Sequence, residues 1–276
     1  MSAPHTPKGL IGIFDSSSGG LTVLRSVRAV MPAYSYVYYA DTASAPYGPK
    51  SQAEIRARVE RAVRSMFALG CELIILACNT ASATALRDIQ RRVLPTEFPD
   101  KRVLGVIVPT IEEVTMRPNE RVGIIATVST VASHVYDIEL KKRNPSLTIV
   151  EYAAPELATL IEEGHTERAV EQLQRAVHTL EHEKCKTIVL GCTHYAFIKE
   201  QIVHVDNETT IISQDDIIPI RLKEYLERHD AITRLLARDA SITFRLTASH
   251  AYTERRIRDW FPNSDLFIGH ADHSTG

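Results

Sequence analysis

The chain has 276 residues, of which 44% are hydrophobic and 24% charged, and its formal net charge is −2. These values are typical of a globular protein that forms one large α/β domain or two smaller lobes, and they give no general attraction to nucleic acid or an anionic membrane. No apolar run approaches the roughly 20 residues of a membrane-spanning helix, and residues 1–10 lack a secretory signature. No CxxC pair is formed by Cys71, Cys78, Cys185 and Cys192, so we expect reduced thiols in a cytoplasmic protein.

Strand-like and helix-like segments alternate along the chain, which is typical of parallel sheets covered by helices. In the first part the pattern predicts strands over residues 10–14, 35–40, 73–77 and 102–108. Helices are predicted from Leu21, over residues 51–69 and from Pro109. Ser51 and Glu54 have the spacing of a capping box, and Gly70 has the place of a C-cap.

The same alternation continues in the second part. Strands are predicted over residues 121–126, 147–152, 187–191, 209–212 and 242–246. Helices are predicted up to residue 143 and over residues 155–163, 167–183, 215–228 and 251–261, and residues 270–276 are expected to form a frayed tail. The helix over 167–183 is strongly amphipathic, with one apolar face made by Ala169, Leu173, Ala176, Val177 and Leu180.

Two landmarks repeat at nearly the same spacing. The sequence at 12–16 resembles that at 123–127, an offset of 111 residues, and Cys78 and Cys192 are 114 residues apart. This favours a duplicated βα lobe, although a single sheet with an accidental resemblance is an alternative. In a duplicated arrangement, equivalent strand ends would face one cleft between the lobes, where ligands usually bind.

Cys78 and Cys192 each end an apolar, strand-like run and precede small polar residues. A helix N-terminus favours negative charge, so we expect both thiols to lie near their ionisation point at working pH. Two such groups close together retain one proton between them, which is the state that a two-base racemase needs. Cys71 and Cys185 lack such neighbours, precede their strands, and are interpreted as small buried apolar residues.

Other polar residues are open to two interpretations. Asp15 and Ser16 suit helix capping, and they also suit a loop that holds a carboxylate. The loop over 46–48 is either a surface turn or a source of backbone donors, and His194 is either a structural histidine or a proton-relay partner of Cys192. Residues 16–20 match neither GxGxxG nor GxxxxGK[ST], so nucleotide binding is weakly supported.

Four blocks in order along nearly the whole chain resemble the cofactor-independent aspartate/glutamate racemase family. They lie within residues 12–24, 41–51, 77–83 and 190–195. The resemblance implies an α/β fold of two pseudo-symmetric lobes, each a mostly parallel sheet flanked by helices, with the active site in the cleft between them. The first lobe would comprise residues 1–105 and 215–276, and the second residues 106–214.

The resemblance also implies an activity, the interconversion of L- and D-glutamate without pyridoxal phosphate or metal. The D-glutamate would be used for bacterial peptidoglycan precursors. Cys78 and Cys192 would be the bases on opposite faces of the α-carbon. Proton movement would be assisted by Asp15, His194 and Glu162. Glutamate would be held by Asp15, Ser16, Pro46, Tyr47, Gly48, Asn79, Thr80, Thr127, Thr130, Thr193 and His194. A homodimer is a further expectation.

Three departures from the family pattern concern loops rather than thiols. Ser17 follows the Asp-Ser pair where the family usually has glycine, the loop over 126–130 lacks two usual glycines, and Ala154 stands where a cysteine is usual. The alternatives are a racemase of another amino acid such as aspartate, and a non-catalytic amino-acid-binding protein. A cysteine hydrolase using Cys192 with His194 is disfavoured because adjacent residues rarely present both groups to each other.

Overall fold

Two separate parallel sheets organise the molecule. The computed structural model describes residues 9–117, 120–204 and 208–269, and within these one sheet has six strands and the other has four. All pairings are parallel. The strands, β1 to β10 in chain order, are Leu10–Asp15, Tyr36–Ala40, Cys71–Leu76, Arg102–Gly105, Arg121–Ala126, Thr148–Ala153, Thr187–Gly191, Thr210–Ile212, Ile242–Leu246 and Asp265–Ile268.

Helices connect the strands and cover both sheets. In chain order the α-helices α1 to α12 are Gly20–Val30, Gln52–Ala68, Asn79–Asp88, Leu94–Glu97, Ile107–Thr115, Val128–Ala132, Val135–Arg143, Leu157–Glu162, Thr166–His182, Gln214–Arg228, Asp230–Thr233 and Ala251–Trp260. Among the described residues, none of the helices combines the length and apolar character needed to cross a membrane.

The middle of the six-stranded sheet is buried on both faces, as is usual in parallel sheets, and every residue of β1 and β2 is buried. Its central strand alternates: Ile11 and Ile13 belong to a core shared with α1 and α10, whereas Leu10 and Phe14 belong to a core shared with α2 and α3. The side-chain period of two thus places β1 between two apolar layers.

The four-stranded sheet is built in the same way. Ile125 and Leu190 pack against α9, and Ile124 and Val189 pack against α7 on the other face. The apolar face predicted for the helix over 167–183 is confirmed, because all five of its predicted residues are buried.

Four adjacent strands of the larger sheet have the same order as the four strands of the smaller sheet. In the first, β1 lies between β2 and β3, with β4 next to β3; in the second, β5 lies between β6 and β7, with β8 next to β7. Cys78 follows β3 and Cys192 follows β7, so the two cysteines have equivalent positions. The predicted fold class of two α/β lobes is confirmed. We propose the boundaries 1–105 with 215–276 for the first lobe and 106–214 for the second, which keep each sheet within one lobe.

Several predicted boundaries were wrong. The strand predicted over 102–108 ends at Gly105, and Ile107 begins α5, since Thr110 donates both its N–H and its hydroxyl to the carbonyl of Val106. Pro109 is tolerated because it lies in the first helical turn. Cys71 does not precede β3 but is its first residue.

Two further differences have local causes. Ser51 accepts the Glu54 N–H, but the Glu54 carboxylate pairs with Arg58 and Lys50 instead of completing the capping box. Strand β10 was not predicted, because it is largely exposed and so lacks a buried apolar pattern. The predicted tail at 270–276 lies outside the described residues.

Candidate active site

A cavity of about 80 Å³ lies where the ends of β1, β3 and β7 meet. Asp15 and Thr130 are fully buried behind its wall. The remaining predicted site residues all line it: Ser16, Pro46, Tyr47, Gly48, Cys78, Asn79, Thr80, Thr127, Glu162, Cys192, Thr193 and His194. The sequence did not indicate five further lining residues, Ser17, Pro49, Pro155, Ala158 and Thr159.

Cys78 caps the N-terminus of α3 with extended backbone, and only 6% of the residue is exposed. Its thiol lies 3.7 Å from the Ser16 hydroxyl, to which it donates. Burial, followed by the nearby Asp15 carboxylate, raises the pKa of the Cys78 thiol from 9.0 to about 12. The expectation that Cys78 ionises near working pH was therefore wrong, because the effect of desolvation outweighs that of the helix N-terminus.

Cys192 directly follows β7 and precedes a short 3₁₀ turn, Thr193–Phe197, in place of a longer helix. The residue is 7% exposed, and its Sγ lies 3.6 Å from Nδ1 of His194. The expectation that residues so close in sequence would not present both groups to each other was therefore wrong for Cys192 and His194. Cys78, in contrast, contacts a serine hydroxyl.

His194 forms a buried ion pair with Glu162 through Nε2 and Oε1, which are 2.8 Å apart. Burial opposes charge on both groups, but their attraction outweighs it: the pKa of His194 is raised well above 6.5, and that of Glu162 is lowered to about 2. The pair is therefore imidazolium and carboxylate at neutral pH, and the Nδ1–H of His194 is available to Cys192.

Glu162 is held by residues that the sequence did not indicate. Ser18 donates its backbone N–H at 3.2 Å and its hydroxyl at 2.9 Å to Glu162 Oε1. Nε2 of His250 lies 3.8 Å from the other carboxylate oxygen. The one available signal was the departure in this loop, where Ser17 and Ser18 follow the Asp-Ser pair in place of the usual glycine and bring hydroxyl groups to it.

Asp15 connects the first strand to the turn after Cys192. Its Oδ1 accepts the Ser17 N–H at 2.9 Å, and its Oδ2 accepts the Thr193 hydroxyl at 3.1 Å. Burial raises the pKa of Asp15, although His194 acts against this shift. Asp15 lies behind the cavity wall and orders residues that line it.

Three threonine hydroxyls meet between the lobes. Thr80 Oγ1 lies 2.9 Å from that of Thr127 and 3.1 Å from that of Thr130, and Thr127 and Thr130 are 3.0 Å apart. The cluster joins the start of α3 to the loop after β5. Each hydroxyl both donates and accepts, so the group can adjust to a bound anion.

The loop over 46–48 is an anchored wall of the cavity rather than a surface turn. Tyr47 is buried, and its hydroxyl donates to Asp41 at 2.7 Å. Asp41 also accepts hydrogen bonds from the hydroxyl groups of Ser44 and Thr247.

Within the described residues, no group of three or more His, Cys, Asp or Glu side chains could hold a metal ion. Cys71, Cys78, Cys185 and Cys192 are free thiols. The chemically distinctive feature is a pair of thiols from equivalent strand ends at one cavity, surrounded by N–H and hydroxyl donors that suit carboxylates.

Comparison with known proteins adds an independent observation. A model of the Asp/Glu/Hydantoin racemase family matches residues 16–209. A glutamate racemase of Ruegeria pomeroyi is 38% identical over 233 residues, which cover 79% of this chain and 86% of that protein.

Solved structures agree with this match. A glutamate racemase isoform from Bacillus anthracis is similar with a TM-score of 0.84 at 28% identity, covering 97% of this chain and 99% of that one. A glutamate racemase from Francisella tularensis in complex with D-glutamate has a TM-score of 0.83 at 25% identity, with 96% and 98% covered.

Proposed function

This chain belongs to the Asp/Glu/Hydantoin racemase family and is an isomerase, and on that premise we propose that it interconverts L- and D-glutamate without a cofactor. The proposal is supported by the relative from Ruegeria pomeroyi and by the fold shared with the Francisella tularensis enzyme, whose structure contains D-glutamate. The donors around the cavity suit a substrate with carboxylates.

The observation that carries the proposal is the position of the two cysteines. Cys78 and Cys192 come from equivalent strand ends of different sheets and border one cavity. In the proposed reaction one thiolate takes the α-proton, so that an S–H bond forms as the C–H bond breaks. The opposite thiol then gives its proton to the other face of the same carbon, and the two cysteines exchange protonation states.

The surroundings of the two cysteines indicate which one acts as the acid and which one acts as the base. With a pKa of about 12, Cys78 is a thiol at neutral pH and can deliver a proton. His194, held as an imidazolium by Glu162, lies next to Cys192 and can donate to a thiolate. We therefore propose that, in one direction of the reaction, Cys192 beside His194 acts as the base and Cys78 delivers the proton.

Removal of the α-proton builds negative charge on the substrate, which fixed donors can stabilise in a water-poor site. The groups in place for this are the Asn79 amide and the Thr80 hydroxyl, whereas the Thr193 hydroxyl already donates to Asp15. In this scheme Asp15 positions Thr193, and Glu162 keeps His194 charged.

We also propose where the enzyme is located, what its product is used for and how it assembles. A cytoplasmic location is supported by four free cysteines, since such thiols persist in reducing compartments. D-glutamate formed there would serve peptidoglycan precursors, and a homodimer is the proposed assembly.

The test is incubation with L-glutamate in heavy water and no added cofactor. We expect D-glutamate that carries deuterium at the α-carbon, because the delivering thiol exchanges with solvent. An unchanged enantiomer ratio would reject the proposal. Turnover of aspartate but not glutamate would identify another racemase of the family, and calorimetric binding of glutamate without turnover would indicate a binding protein.

A further inference from the structure

Tyr136 contacts a wall of the cavity from behind and from the other lobe. It is fully buried in α7, next to the four-stranded sheet, and its hydroxyl donates a 2.7 Å hydrogen bond to Oδ1 of Asn79. Asn79 begins α3 directly after Cys78, is 2% exposed and lines the cavity. The bond therefore joins the two lobes beside one of the paired thiols.

This hydrogen bond fixes which side of the amide is free. An asparagine side chain offers one carbonyl oxygen as acceptor and one NH₂ group with two donors. The Tyr136 hydroxyl donates to the carbonyl oxygen of Asn79, so the NH₂ group is the side of the amide that this bond leaves free. Burial raises the pKa of Tyr136, so its hydroxyl keeps its proton and stays a donor throughout the physiological range.

The other side of the amide has no protein partner. Nδ2 of Asn79 is buried and makes no hydrogen bond. Buried polar atoms in native proteins are rarely left unpaired, so an unpaired donor at a cavity wall points to a bound acceptor. A carboxylate meets that requirement with either of its oxygens, whereas a carboxamide meets it only with its one neutral oxygen and not with its NH₂ group.

We propose that Tyr136 determines specificity as a positioning residue: it holds the Asn79 amide with its N–H groups toward the cavity, so that this wall selects a carboxylate over a carboxamide. Without the tyrosine hydroxyl, the side-chain amide of Asn79 can rotate by about 180° and present its oxygen to the NH₂ group of a bound carboxamide. The identity of the molecule that carries the carboxylate rests on the proposed glutamate racemisation.

Tyr136→Phe tests this, because it removes the hydroxyl and keeps the ring. We measure kcat and KM for glutamate, and calorimetric Kd values for glutamate, glutamine and isoglutamine, which carry a carboxamide at the γ or the α position. We expect KM for glutamate to rise about tenfold with a smaller change in kcat. The preference for glutamate over one of the two amides should fall by about tenfold or more.

Tyr36→Phe is the matched control. Tyr36 is equally buried, and its hydroxyl donates to the Met31 carbonyl at the same 2.7 Å, but in a different part of the core. The control should lose stability without changing the glutamate-to-amide ratio. An unchanged ratio in Tyr136→Phe, or an equal change in both variants, would overturn the inference.

A double variant separates positioning from general destabilisation. If Tyr136 acts through Asn79, adding Tyr136→Phe to Asn79→Ala should have little further effect on glutamate binding; fully additive losses would contradict this. The binding ratios are measured apart from turnover. Wild-type protein that binds glutamate without racemising it would therefore reject the proposed function while leaving this inference standing.

Discussion

His194 and Glu162 show burial and pairing acting in opposite directions on the same side chains. Removal from water disfavours charge on each, and an unpaired charge at this depth would be strongly destabilising. Their 2.8 Å contact reverses that outcome, since each raises the charged fraction of the other. The result is a positive charge beside Cys192 at neutral pH.

Glu162→Gln should lower stability in a pH-dependent way. The pKa of Glu162 is depressed from 4.5 to about 2, so the stability it contributes is complete above pH 4.5 and is lost as the pH falls toward 2. The shift corresponds to about 3 kcal/mol at pH 7. Urea unfolding across this range should show the gap between variant and wild type closing as the solution becomes more acidic.

Glu163→Gln is the control, because Glu163 is the next residue, is exposed and forms an ion pair with the exposed His165. It should follow the wild-type curve. Equal stability of Glu162→Gln and wild type at pH 7 would contradict the proposed ion pair.

At the scale of elements, the turn from β1 into α1 requires glycine at position 19 because a side chain would not fit there, and not because of its dihedral angles. Gly19 has ordinary helical dihedral angles, with φ −57° and ψ −42°. A Cβ atom there would lie 2.6 Å from Nδ1 of His194, closer than real contacts allow. The turn therefore packs directly against the residue that contacts Cys192.

Gly19→Ala should thus impair catalysis although alanine suits the backbone. A displacement of His194 by a fraction of an ångström to 1 Å is expected to lower kcat/KM by about tenfold to a hundredfold. Val30→Ala, at an exposed position of the same helix, should leave kcat/KM unchanged. Wild-type activity in Gly19→Ala would show that this turn tolerates the added methyl group.

Local patterns in the sequence predicted most elements, but not their irregular ends. Cys78 and Cys192 were recognised because apolar runs end immediately before them, and the carboxyl ends of parallel strands form a common rim. Strand β10 and the early start of α5 were missed, because one is exposed and the other begins in a β-branched segment that also suits a strand.

At the scale of the whole molecule, contacts between the lobes complete the cavity. Ser18 meets Glu162 over a separation of 144 residues, and Thr80 meets Thr127 over 47. No local pattern encodes such pairs. The duplicated βα lobe was predicted from two landmarks that repeat at nearly equal offsets, whereas the strand order and the partners Ser18, Tyr136 and His250 became evident only in three dimensions.

Ligand binding between two lobes should stabilise the molecule as one unit. Glutamate at about one hundred times its Kd adds about 2.7 kcal/mol, which raises Tm by roughly 5 °C or more for a chain of this size. Calorimetry should show a single transition that moves with glutamate and not with lysine, whose side chain is cationic. Two transitions, of which only one moves, would place the ligand within a single lobe.

The most direct measurement compares Cys78→Ser and Cys192→Ser with each glutamate enantiomer in heavy water, with Cys185→Ser as a control that keeps its activity. If the thiols act on opposite faces of one α-carbon, both site variants lose racemisation by about a thousandfold or more. Each should still exchange the α-proton of one enantiomer, and the two variants should differ in which one. Racemisation retained in either variant, or exchange of the same enantiomer by both, would contradict a two-base mechanism.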